Sequence, residues 1–147
     1  MKEALSFPEL LPRTDARPAA CPRCGRPGMG WHRRQTRPVV DPKLSQVEVV
    51  QYQCAACGAS LTVIPPGLSP NCRHSDRTRV MLVVLWGLGL SYRDAALVMK
   101  ALGAPISHVE IILNVRQMGH KAMARHKKVT AKVKTPVLGA DETQVKL

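Results

Sequence analysis

A chain of 147 residues has room for one or two small domains, but not for a large catalytic core with accessories. Its 22 Lys and Arg against 10 Asp and Glu give a formal charge of +12, which favours a polyanionic partner through counterion release. The longest apolar stretch, Val80 to Leu90, is too short to span a bilayer, and the first twenty residues hold no apolar run resembling a signal peptide. The expectation is a cytoplasmic protein, with neither a membrane nor a small-molecule substrate as partner.

Residues 1–20 carry three prolines and scattered charges, and read as a disordered leader. Residues 21–66 form a cysteine-bounded unit. Cys21-Pro22-Arg23-Cys24-Gly25 is answered by Cys54-Ala55-Ala56-Cys57-Gly58. Two residues between each pair let a tight turn aim both thiolates at one ion, and the glycine that follows lets the backbone fold back as a knuckle. Four sulfurs close a tetrahedral structural zinc site with no open position for catalysis. Rubredoxin-like iron and a redox dithiol are the rival readings. A unit this small buries too little core to fold unaided, so the metal supplies much of its folding free energy.

Between the knuckles, Gln46 to Gln53 alternates polar and apolar for most of its length, and Ser60 to Ile64 is β-rich, which suits a β-ribbon. His32 reads as a ribbon surface residue. The run Trp31-His32-Arg33-Arg34 with Arg37 reads equally as a phosphate contact or as a solvated charged face. Pro65, Pro66, Gly67 and Pro70 close the unit and mark residues 67–74 as a linker, in which Cys72 is a spare thiol.

Residues 75–128 are helical in pattern. Ser75 caps a first helix with Met81, Val84, Leu85 and Leu88 on one face, ended by Gly87 and Gly89. Ser91 and Asp94 make a capping-box pattern for a second, with Ala95, Val98, Met99 and Leu102 on one face and Gly103 as its stop. Ala104-Pro105-Ile106 makes the turn, and Ser107 caps a third helix of ambiguous phase. One reading puts Ile111, Val115, Met118 and Ala122 in the core and leaves Ser107, Glu110, Asn114, Gln117 and Lys121 as a polar stripe. Two helices joined by a short turn, the second followed by Arg125, Lys127 and Lys128, fit a helix-turn-helix reader of double-stranded DNA. Those eight residues are the candidate DNA contacts. The alternative is a helical bundle whose polar stripe faces water.

Residues 129–136 form a basic connector, and residues 137–147 read as a buried strand that delivers Asp141. Cysteine knuckles, the helix pair from Ser91 to Gln117, and Leu138-Gly139-Ala140-Asp141-Glu142-Thr143 follow in that order. This arrangement resembles DDE-type transposases of bacterial insertion sequences, across about residues 21 to 147. The resemblance implies a small zinc β-ribbon, then an all-α helix-turn-helix domain, then one terminal strand of a truncated α/β ribonuclease-H-like domain. It implies recognition of terminal inverted repeats, with self-association of subunits. It also implies that Asp141 is the first of three carboxylates holding two Mg²⁺ ions, with Glu142 on the opposite side of the strand. No acidic residue follows Glu142, so the carboxylate set is incomplete and this chain alone is expected to be inactive in transposition. The competing expectation is a freestanding zinc-ribbon helix-turn-helix regulator. A component of an RNA assembly is disfavoured by an aromatic content of 3%.

Overall fold

The computed structural model describes residues 6–131. Three strands, β1 (Gly30–Pro38), β2 (Gln46–Gln53) and β3 (Ser60–Val63), form one antiparallel sheet in the order β1-β2-β3. Three helices follow: α1 (Asp76–Gly87), α2 (Tyr92–Ala101) and α3 (His108–Thr130).

The central strand is covered on both faces, which explains where its alternation breaks. Val47 and Val49 pack on one side with Leu10, Val39 and Leu68. Val50 and Tyr52 turn to the other side, against Met29, Cys21 and Cys54. The doublet Val49-Val50 is the point at which apolar character switches faces. β1 is an edge strand, and nearly all of it is exposed.

Each helix starts at the serine expected for it. Ser75 accepts from the Thr78 amide and Ser91 from the Asp94 amide, while Ser107 and Glu110 form a full capping box. α1 and α2 stop alike. Gly89 at φ 91° and Gly103 at φ 80° adopt the left-handed conformation that lets the next amide reach back to Leu85 and Met99. The helices meet over Leu82, Ala95, Met99, Ala104, Ile106, Ile111 and Val115. This settles the phase of α3 in favour of Ile111 and Val115. The expected face of α1 is met in part: Met81 and Leu85 pack against the core, but Leu82 is its fully buried centre and Leu88 is 73% exposed. Val80 to Trp86 is apolar all round, so its pattern names no face. The Thr78 hydroxyl, which donates to the Val40 carbonyl at 2.9 Å, sets the rotation instead.

A ribbon followed by a separate all-α helix-turn-helix domain is not what forms. The chain builds a three-stranded antiparallel sheet and then three helices, and a buried polar joint ties the two together. Asp41, in the β1–β2 connection, accepts from the Lys43 and Leu44 amides at 2.8 and 3.2 Å. It also accepts from the Ser75 hydroxyl at 2.6 Å and from Arg77 Nη1 at 3.2 Å. Val40 bridges His74 in parallel, and the Asp76 amide donates to the Gly67 carbonyl. The stretch read as a linker is therefore packed, with Leu68 buried. Its prolines and glycines mark turns, not freedom.

Residues 6–20 are likewise laid onto the sheet rather than left disordered. Leu10 is buried, the Leu11 amide donates to the Pro66 carbonyl, and the Glu48 amide donates to the Pro12 carbonyl. Gly67, at φ 87°, lies so close beneath this segment that a Cβ there would collide with the Glu9 carbonyl oxygen. The expected strand at 137–147 lies outside the described residues. Among the described residues no helix is long and apolar enough to cross a membrane.

Asp41 and Arg77 are almost wholly buried, whereas the Arg34–Glu48 pair on β1 and β2 is open to solvent. Replacing Asp41 by Ala strands a buried guanidinium and should lower stability by about 3–5 kcal/mol in urea denaturation. Replacing Arg34 by Ala should cost no more than about 1 kcal/mol.

Candidate metal centre and basic interface

Strand pairing builds the cysteine site. Gly30 pairs with Gln53, and Gln53 pairs with Ser60, so β1 begins where β2 ends and β3 starts. The segment before β1 and the turn between β2 and β3 therefore meet at one end of the sheet. Each carries a Cys-x-x-Cys knuckle, and the two knuckles share one backbone pattern. Gly25 donates to the Cys21 carbonyl and Gly58 to the Cys54 carbonyl, both at 2.9 Å. Cys21 and Cys54 donate in turn to the Arg26 and Ala59 carbonyls, again at 2.9 Å. Gly25 and Gly58 both adopt φ 70°, which the reversal requires.

All four Sγ atoms of Cys21, Cys24, Cys54 and Cys57 lie within 4.8 Å of one another. Cys21 and Cys57 are 3.6 Å apart, and Cys24 and Cys54 are 3.7 Å apart. A tetrahedral metal–thiolate site with bonds near 2.3 Å has sulfur–sulfur edges of about 3.8 Å. The donor set thus fits one tetrahedral, thiophilic ion. Cys21 and Cys54 face inward onto Met29, Val50 and Tyr52, while Cys24 is exposed and Cys57 half-buried.

The thiols titrate unequally for local reasons. The Cys24 and Arg23 amides pull the Cys21 thiol down to about 6. The Cys57 and Ala56 amides lower Cys54 in the same way. At Cys24 the Arg26 amide also pulls downward, but burial and the three neighbouring thiols together outweigh it and push the thiol up to about 12. Four sulfurs this close cannot all ionise without a cation between them. Cys72 lies apart from this group, in the loop before α1, where its carbonyl accepts from Arg37 at 2.9 Å.

The candidate DNA-contacting residues divide into two sets. Ser107 and Glu110 hold each other in the capping box, which lowers the Glu110 pKa through the Ser107 amide and hydroxyl. Asn114 is buried and donates to the Glu110 carbonyl at 2.8 Å. Gln117 accepts from Arg79 Nη2 at 2.8 Å. These side chains form cap, helix and joint contacts, and Glu110, Asn114 and Gln117 lie by the 71–74 loop. Between Asn114, Gln117 and Arg73 lies an open hollow of about 520 Å³, also lined by Asn71, Cys72, His74 and Leu113. By contrast Lys121, Arg125, Lys127 and Lys128 are exposed on the outer half of α3, together with Arg116. From Ile111 to Ala131 the helix and its end carry no acidic residue. Asp141 lies outside the described residues.

The exposed edge strand β1 has no bounds in the sequence beyond the placing of His32 on the ribbon, because Trp31 to Arg37 has no apolar alternation to mark a strand. It presents Trp31, Arg33 and Arg34 to solvent beside the first knuckle. The run itself was the available signal.

His74 Nε2 is buried without a hydrogen-bond partner, 3.7 Å from Glu110 Oε1. Burial lowers its pKa despite that carboxylate. A base whose pKa is lowered by folding binds fewer protons in the folded chain than in the unfolded one. Stability should therefore fall as pH drops below the unfolded histidine value of about 6.5. Urea midpoints measured between about pH 7 and pH 5.5 should fall less steeply for His74→Gln than for the wild-type chain.

Elemental analysis should find one metal ion per chain. Cys54→Ser and Cys57→Ser should lose it, and Cys72→Ser should keep it. Chelation should abolish the near-ultraviolet signal of Tyr52, because metal binding of this kind contributes on the order of 10 kcal/mol to folding. Comparison with known protein families, curated protein sequences and solved structures found no match to this chain.

Proposed function

We propose that this chain is a zinc-stabilised module that binds double-stranded DNA, with the outer half of α3 as its main contact. The observation that carries this reading is the exposed run of Arg116, Lys121, Arg125, Lys127 and Lys128 on a helix that continues beyond its packed portion. Such a helix suits a duplex, because Lys and Arg along it exchange condensed counterions for direct phosphate contacts. Zinc is the ion that four closely spaced thiolates select most readily when no open coordination position is needed. The centre is structural in this reading, and holds the sheet on which the helices are mounted.

The resemblance to DDE transposases extends the proposal to a target: the terminal inverted repeats of an insertion element. Support for that extension comes from sequence order alone, since Asp141-Glu142-Thr143 lies outside the described residues. Ser107, Glu110, Asn114 and Gln117 are already engaged in the fold. Affinity in this reading comes from the cations and phosphate, while base recognition requires Gln117 or Asn114 to exchange its present partner for a base edge.

Fluorescence anisotropy on duplexes over a salt series tests this. The triple variant Lys121→Gln, Arg125→Gln, Lys128→Gln should reduce the slope of log affinity against log salt by about 2–3 and weaken binding at least about tenfold. Absence of salt-dependent binding to any duplex would refute the proposal. Equal affinity for the flanking inverted repeats and for shuffled duplexes would remove the transposition target, leaving a non-selective DNA-binding module.

A further inference from the structure

We propose that β1 is a second DNA-contacting element, which continues the footprint of α3 along the duplex backbone; this rests on the duplex-binding reading above. Four observations point to it. First, β1 is an open edge whose side chains are almost all solvent-facing, and Trp31 is 64% exposed. Arginines on an edge could serve merely to prevent strand-to-strand aggregation. An exposed tryptophan beside them works against that purpose, so edge protection does not account for the pair.

Second, the bulge between Trp31 and Arg33 redistributes the side chains. The register sets Trp31 opposite Tyr52 and Arg34 opposite Val50, on one face of the sheet. Arg33 opposite Gln51 and Arg37 opposite Val47 take the other face. The cations therefore leave the edge on both sides, as a backbone lying along the strand would need. Their neighbours orient them: Arg33 Nε donates to Gln51 Oε1 at 2.6 Å, and Arg34 pairs with Glu48 at 3.3 Å.

Third, Trp31 borders a hollow of about 370 Å³ lined by Gly30, Gln53, Cys54, Ala55 and Gly58. The small residues of the second knuckle leave room beside the indole for a flat or apolar group, such as a deoxyribose or a base edge. Metal binding holds that knuckle, and so preforms the hollow.

Fourth, the edge leads to α3. Arg37 Nη2 donates to the Cys72 carbonyl, and the next residue, Arg73, lines the larger hollow together with Gln117. Arg37 and Arg73 thus carry positive charge from one face of β1 toward the hollow beside Gln117 of α3, while Arg34, on the opposite face, is paired with Glu48 of β2. Duplex DNA is the partner that cations on both β1 and α3 fit, since each neutralised phosphate adds to the same salt-dependent affinity.

The test uses the full metal-loaded chain, a duplex, and the background substitution Trp86→Phe, which leaves Trp31 as the single fluorophore of its type. Duplex addition should quench Trp31 emission. Arg33→Gln with Arg34→Gln should lower the salt slope by about 2, at unchanged metal content. Glu48→Gln should act oppositely and tighten binding by about threefold, a gain that misfolding cannot imitate. If the wild-type chain binds and the α3 variants weaken it, while the β1 and Glu48 variants change nothing and Trp31 emission is unmoved, the β1 proposal alone is overturned. If the wild-type chain binds no duplex, the reading on which it rests falls with it. Equally tight binding to anionic phosphatidylserine vesicles, with the same variant effects, would also overturn it in favour of a membrane surface.

Discussion

One buried carboxylate holds this small protein together. Asp41 sits where β1 turns into β2, and its two oxygens collect two backbone amides, a helix-capping hydroxyl and a guanidinium. Each partner comes with its own structural consequence. The amides close the turn, Ser75 starts α1, and Arg77 also reaches the Pro8 carbonyl at 3.2 Å and so fastens the N-terminal segment. A carboxylate cannot be buried without such partners, because its desolvation has to be offset by charge-assisted bonds. Sheet, helices and leading segment become one body because they share that requirement.

The four-cysteine group lies at the other end of the β1–β2 pair from this joint. The knuckles gather where Gly30 meets Gln53, and the joint forms beyond the pairing of Pro38 with Gln46. Apolar burial is divided among three modest clusters rather than one large core. Neither cluster on the sheet is large; a four-cysteine group that could hold a metal ion stands at one end and a buried ion pair at the other. What remains exposed is also organised: a cationic edge strand beside the knuckles and a cationic helix beyond the packed core.

Much of this was legible in the residues themselves. The paired Cys-x-x-Cys-Gly motifs encode two identical knuckles, because the local turn geometry needs only neighbours in sequence. Serines at 75, 91 and 107 and glycines at 89 and 103 mark helix ends for the same reason. Less was legible wherever a partner is distant. Asp41 looks like an ordinary turn residue until Ser75 and Arg77 reach it across more than thirty positions. Leu10 looks like part of a loose leader until Val47 and Val49 supply an apolar floor. Asn114 and Gln117 look free to read bases until Glu110 and Arg79 claim them.

The division follows the range of the interactions. The sequence by itself determined the cysteine donor set, the helix starts, the stops of α1 and α2, the strands β2 and β3 and the strong positive charge, since these depend on residue type at short spacing. Helix α3 runs two residues past the expected helical region, to Thr130. Tertiary structure decided that sheet and helices form one body, which face of α1 is buried, and which polar groups of α3 are engaged or exposed. It also brought Arg37 to the loop that leads to α3. Those outcomes depend on burial and charge compensation between distant segments, and no local pattern carries that information.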